Sequence, residues 1–205
     1  MALVVNFRGQ EKMTRPKEYN LEKVLEASTR VFWEKGYRGT SMNDLVQATG
    51  LNKHSMYKEF SSKDGLFLSC LDHYAKETTK EQSGILKKNP LGVQNIELYF
   101  RHTIKSASSS KFNPCLLINT AIEIEGLDTA INDLTHKYLS LQERSFYNCL
   151  EAAQKNGKIP KHKDIKMLAK YLMCFLEGIN VMGKTGPTKK SLESLLNEVL
   201  SHIAK

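Results

Sequence analysis

Nothing in the 205 residues approaches the roughly 20 consecutive apolar positions that a membrane-spanning helix needs. The opening MALVV is too short for a signal-peptide core, so a cytoplasmic chain with no membrane partner is expected. Only five prolines interrupt the sequence, and strand-like alternation never persists, which leaves an all-α reading. The four cysteines, Cys70, Cys115, Cys149 and Cys174, are scattered, without a Cys-x-x-Cys pair or metal-ligand spacing. Reduced thiols and no bound metal follow. No nucleophile–base pair, phosphate-binding loop or metal-spaced His/Glu set is present, so neither an enzyme nor a cofactor is expected.

What is present is ordinary for a globular protein, with 40% apolar and 25% charged residues. Thirty Lys and Arg outnumber 22 acids, giving a charge of +8, a mild excess that makes a polyanionic partner plausible. Helical periodicity predicts helices at about 20–35, with Gly36 as its stop, and at about 63–82, 93–107, 114–125, 128–156, 164–183 and 189–203. Two further short segments fall between the first two of these, and SGILKKNPLG reads as a loop. The expected organisation is a flexible segment over 1–19, a three-helix unit over 20–64 and a larger helical bundle over 65–205.

The short pair lies within SMNDLVQATGLNKHSMYKEFSSKDGLF, residues 41–67. Ser41 begins a Ser-x-x-Asp capping box with Asp44, and Leu45, Val46 and Ala48 are expected to face inward. Gly50 suits a left-handed helix exit, Leu51 a corner plug and Asn52 an N-cap. Met56 and Phe60, four apart, would pack inward and leave Lys53, His54, Ser55, Tyr57 and Lys58 on the open face. Two helices joined by a glycine-containing turn describe a helix-turn-helix, whose second helix fits the major groove of double-stranded DNA. A helical corner with a solvated face is the alternative from pattern alone.

Residues 14–67 resemble the TetR family of bacterial transcriptional regulators. The likeness is carried by Phe32, Gly36, Tyr37, Thr40, Ser41, Gly50, Leu51, Tyr57, Phe60, Ser62, Lys63, Asp64 and Leu66, at fixed spacing. The resemblance implies a DNA operator as partner, contacted by Ser41, Asn43, Lys53, His54, Ser55, Tyr57, Lys58 and Lys63. By residue type, Tyr57 and Lys63 suit phosphates, Ser55 suits phosphate or base, and Asn43 and Lys53 suit base edges. Glu59 departs from the family pattern, which usually has an aromatic or histidine there, and a carboxylate would repel phosphate unless it accepts from a cytosine amino group or pairs with Lys58 or Lys63. Met13 resembles a family N-terminus, and Arg15 and Lys17 then form either an arm toward DNA or a solvated tail.

For the larger unit the resemblance implies a small-molecule effector site and a homodimer built on the last two helices. The apolar residues expected at that interface are Leu168, Leu172, Phe175, Leu176 and Ile179, with Leu192, Leu195, Leu196 and Val199. FNPCLLINTAIEIEG supplies candidate effector-site residues Phe112, Cys115, Leu116, Asn119 and Glu123, joined by Phe100, Phe146 and Tyr147 and, further along, His136. Cys115 follows Pro114 at a helix start and reads either as a thiol with a lowered pKa, able to sense electrophiles or oxidants, or as a small packed residue. The expected function is a nucleoid-associated repressor released from a palindromic operator by an effector. The alternatives are a regulator acting through the Cys115 thiol, or a helical interaction module without operator binding.

Overall fold

A computed structural model describes residues 19–109, 112–123 and 125–204, with the backbone alone over 79–83. Arg15 and Lys17 lie outside the described residues. Nine α-helices and no strand occur among those described.

The first helix, α1 (Leu21–Gly39), starts at Asn20, whose side chain accepts from the Lys23 N–H at 3.1 Å. Its stop is less abrupt than the glycine suggests. Gly36 leaves helical geometry at φ 72°, ψ 169°, but the chain rewinds before Thr40 caps the element. The short helices α2 (Met42–Thr49) and α3 (Lys53–Phe60) turn about Gly50, at φ 69° in the left-handed region where a side chain is strained. Eight-residue helices are marginal alone, and these two are held by a shared core. Leu45, Leu51, Met56 and Phe60 pack with Phe32 of α1 and with Leu66 and Phe67 from the following helix. Each buried side chain of this kind contributes about 1.5–3 kcal/mol before entropy is counted. Ala48 is exposed instead of inward, because Leu45 and Val46 already fill that side of α2.

Helix α4 (Lys63–Lys87) runs five residues past its expected end. Gly84 within it costs only about 1 kcal/mol relative to alanine, and nothing stops the helix until Pro90 forces Asn89 out of helical geometry. Leu86, 1% exposed, anchors the added turn. Then come α5 (Val93–Ala107), α6 (Leu116–Ile122), α7 (Thr129–Lys155), α8 (Ile165–Gly183) and α9 (Lys189–Ala204). α6 is shorter than the expected 114–125, beginning after the Cys115 cap and ending at Glu123. α4 belongs to two cores at once: Leu66 through Ala75 pack against α1–α3, while Leu86 joins the core of α5, α7, α8 and α9. Leu116, Leu117 and Ile131 complete the first of these, so α6 and α7 reach into the N-terminal unit.

The apolar faces of α8 and α9 are used differently from the expectation. Leu168, Leu172, Leu176, Ile179, Leu192, Leu196 and Val199 are buried inside this chain's own core, and Phe175 packs on Phe100 with ring centroids 5.0 Å apart. Of the expected interface residues only Leu195 stands exposed. The outward apolar set is Met167, Tyr171, Cys174, Val181 and Met182 on α8, and Leu195 on α9. A helix apolar all round has two apolar faces, and the leucine-rich one is taken by the intramolecular core.

Candidate nucleic-acid interface and internal cavity

The open face of α3 carries Lys53, His54, Tyr57 and Lys58 in solvent, with Ser55 half-buried between them. Asn52 orients the start of the helix by accepting from the Ser55 N–H at 2.9 Å. Ser41 and Asn43 lie exposed at the start of α2. The capping box forms: the Ser41 hydroxyl accepts from the Asp44 N–H at 3.2 Å, and the Ser41 N–H donates to Asp44 Oδ2 at 2.8 Å. Hydrogen bonds from Lys35 and Ser41 hold the Asp44 carboxyl well below the usual carboxylate range. Lys63 opens α4 with its ammonium 4.2 Å from the Tyr37 ring centroid, a cation–π contact. Burial pulls its pKa down, while Asp64 and Glu123 oppose the shift.

Glu59 is engaged within the protein. Its Oε2 accepts from the Tyr19 hydroxyl at 2.6 Å, tying the segment ahead of α1 to α3. That bond, with burial and the carboxylate's charge, pushes the Tyr19 phenol up to about 12. The conflict posed by a carboxylate at this position is therefore resolved by a partner other than Lys58 or Lys63. The effect is electrostatic as well as steric. Between residues 19 and 64, seven Lys and Arg stand against six acids, so an anion is drawn here by where the cations sit and not by net charge.

Six helices, α1 and α4 through α8, enclose a cavity of about 220 Å³. Phe112 and Cys115 line it as expected from the sequence. The other candidates do not. Phe100 and Phe146 stack on each other at 5.4 Å in the core and are fully buried. Leu116 belongs to the N-terminal core. Asn119 and Glu123 face α1, where Glu123 Oε2 accepts from the Arg38 N–H at 3.4 Å. Tyr147 points outward beneath Arg144, 5.0 Å away, and its hydroxyl donates to Glu151 at 3.2 Å. His136 is exposed.

The walls that sequence reasoning missed are Trp33, Tyr74, Tyr99, Tyr138, His102, Thr103, Gln142 and Asn180. Trp33 was the legible signal: the chain's single tryptophan, adjacent to core Phe32 but off its face. Its indole N–H donates to the Pro114 carbonyl just ahead of α6. From the other side, Asn180 of α8 accepts from the Cys115 N–H at 2.7 Å and donates to the Leu176 carbonyl at 2.9 Å. The start of α6 is thereby tied both to α1 of the three-helix unit and to α8.

Cys115 does not have the depressed pKa expected of a helix start. Burial pushes its thiol up, outweighing the pull of the Ile118 and Leu117 N–H groups and of the Tyr74 hydroxyl. Burial likewise raises Cys70 to about 12 and Cys149 to about 11. No group of three or more His, Cys, Asp or Glu able to hold a metal occurs among the described residues.

Comparison with known proteins agrees with this geometry. Residues 24–70 match the family described as bacterial regulatory proteins, tetR family, and residues 92–199 match the tetracyclin repressor-like C-terminal domain. The HTH-type transcriptional repressor ComR of Escherichia coli K12 is 30% identical over 190 residues, covering 91% of this chain and 90% of its own. The HTH-type transcriptional repressor DhaR of Mycobacterium sp. strain GP1 is 23% identical over 177 residues, 86% of this chain and 88% of its own. Among solved structures, a cysteine-substituted TetR family regulator CifR, complexed with a 26-base-pair operator, shares the fold at a TM-score of 0.81 and 24% identity, covering 91% of this chain and 98% of its own. The helix-turn-helix, the helical bundle behind it and these matches over both together lead to one conclusion: the chain belongs to the TetR family of bacterial transcriptional regulators.

Proposed function

We propose that the protein is a homodimeric repressor that binds a palindromic operator and leaves it when a small molecule occupies the internal cavity. The observation that carries this is the open face of α3, where two lysines, a histidine and a tyrosine stand in solvent while the one carboxylate, Glu59, is withdrawn onto Tyr19. Ser41, Asn43, Lys53, His54, Ser55, Tyr57, Lys58 and Lys63 are its DNA contacts, Tyr57 and Lys63 on phosphates and Lys53 on a base edge. Residues 20–64 form the reading unit and 65–205 the sensing and pairing unit. The names of ComR and DhaR as repressors, and the operator bound to CifR, support the same role. None of the described helices is long and apolar enough to cross a membrane, and a cytoplasmic, nucleoid-associated regulator is consistent with that.

The dimer face is the exposed set around Met167, Tyr171, Val181 and Leu195. Ligand coupling requires that the bound state favour a subunit arrangement whose recognition helices no longer match the half-sites. The raised thiol of Cys115 supports the packed reading of that residue over a sensing one. A mobility-shift titration of the promoter of the protein's own gene tests the proposal, with a symmetric footprint expected. Absence of any symmetric protected site there, with or without candidate effectors, favours a helical interaction module instead.

A further inference from the structure

Resting on the reading of this cavity as the effector site, we infer that its ligand is a small, uncharged, flat molecule of about one ring that carries a hydrogen-bond acceptor. Charge is the first constraint. Among the described residues, no Asp, Glu, Lys or Arg lines the cavity. A cation would lose its hydration there with no carboxylate to offset the loss, and an anion would find only the imidazole of His102, which is exposed to solvent. Size is the second. The volume of about 220 Å³ exceeds the roughly 150 Å³ that takes up benzene in an engineered cavity, yet falls below the usual range for drug-sized ligands. One ring with a short substituent fits.

Shape follows from the walls. Trp33 and Tyr74 meet edge to face, with centroids 5.1 Å apart and planes at 71°, and Tyr138 and Phe112 add further ring surface. Such walls favour a flat π-system that continues their offset and edge contacts. The acceptor comes from Gln142. Its Nε2 is buried and has no hydrogen-bond partner, and Gln142 lines the cavity. A native buried donor left unmade calls for an explanation, and a ligand oxygen supplies one. A ligand held this way touches Trp33, whose own N–H is engaged by Pro114. Occupancy therefore presses directly on the first helix of the DNA-reading unit.

The sole tryptophan makes the test direct, because its emission reports this site and no other. The intact chain is titrated with acetophenone, with ethylbenzene as the isostere lacking the acceptor and with benzoate as the charged analogue. Acetophenone should change Trp33 emission saturably, ethylbenzene should bind about tenfold more weakly, and benzoate should have no effect. In Gln142→Leu the preference for acetophenone over ethylbenzene should collapse. Gln142→Met serves if Gln142→Leu loses its helical circular dichroism. Benzoate binding as tightly as acetophenone overturns the inference. So does equal binding of the two neutral probes to the native chain, a preference that survives removal of Gln142, or no response to any probe. Operator binding is measured separately without probe, so failure of the repressor reading and failure of the ligand class are told apart.

Discussion

At the scale of single residues, the proposed DNA contacts separate into groups expected to hold and groups expected to discriminate. Tyr57→Phe and Lys63→Ala should weaken binding on all sequences alike, since both are assigned to the backbone. Lys53→Ala should relax preference at one base pair by about 1–3 kcal/mol, measured by comparing operators substituted at each position with random DNA. Equal losses on operator and random DNA for Lys53→Ala would remove its reading role. Lys63 also sits over the Tyr37 ring, so its variant needs a thermal melt to separate lost contact from lost stability. The thiols give a second residue-scale prediction. Burial raises Cys70, Cys115 and Cys149, so below pH 8 each is held as the weakly nucleophilic thiol. A mild electrophile should therefore leave these three largely unmodified by mass spectrometry, and Cys115→Ser should release operator as the native chain does. Rapid, selective labelling of Cys115 with loss of operator binding would restore the sensing alternative.

At the scale of elements, the joint between α1 and α6 depends on a position without a side chain. Gly36 has φ 72°, and a Cβ there would stand 2.6 Å from Glu123 Oε1. Gly36→Ala thus meets backbone strain chiefly, with a close approach that the flexible Glu123 carboxylate relieves by shifting, and should destabilise by about 1–3 kcal/mol in denaturant unfolding. Adding Glu123→Ala removes the close approach but not the strain, so the double variant should recover only a small part of the loss. Full recovery would mean that the left-handed backbone carries no cost. Gly36, Gly50, the Ser41–Asp44 capping box and Asn52 were all legible in the sequence because turn and cap chemistry is local: each residue type answers a backbone need within a few positions. The end of α4 was not, because GILK is helix-compatible and only Leu86, by joining a core built from later helices, decides that it continues. The cavity was legible only in Phe112 and Cys115. Its walls come from six helices, and periodicity shows that a face is apolar without showing what the face meets. Phe100 and Phe146 are therefore indistinguishable in sequence from cavity residues, although they spend their surfaces on each other.

At the scale of the whole molecule, two features act only in pairs. A dimer places two recognition helices about 34 Å apart, one turn of DNA, and doubles the number of phosphate contacts. Log affinity should then fall linearly with log salt, by about 0.9 for each phosphate neutralised, and more steeply for the dimer than for a monomer. The proposed pairing face divides α8 between buried and exposed positions. Leu172 is fully buried in the chain's own core, whereas Tyr171 and Val181 are 40% and 51% exposed. A charge at Leu172 must be accommodated inside the folded subunit, so Leu172→Asp should unfold the chain, with loss of helical circular dichroism. Tyr171 touches the His202 ring of its own chain from the solvent side, and Val181 is exposed, so charges at these two positions fall on the proposed pairing face and outside the core. The double variant Tyr171→Asp, Val181→Asp should keep its helical signal and melt cooperatively, yet sediment as a monomer at concentrations where the native chain is a dimer. Each monomer then holds one half-site, and operator binding should drop to near the level on random DNA. If this variant stays dimeric, the exposed apolar face of α8 is not where the subunits meet, and the spacing of the two recognition helices must be set by other elements.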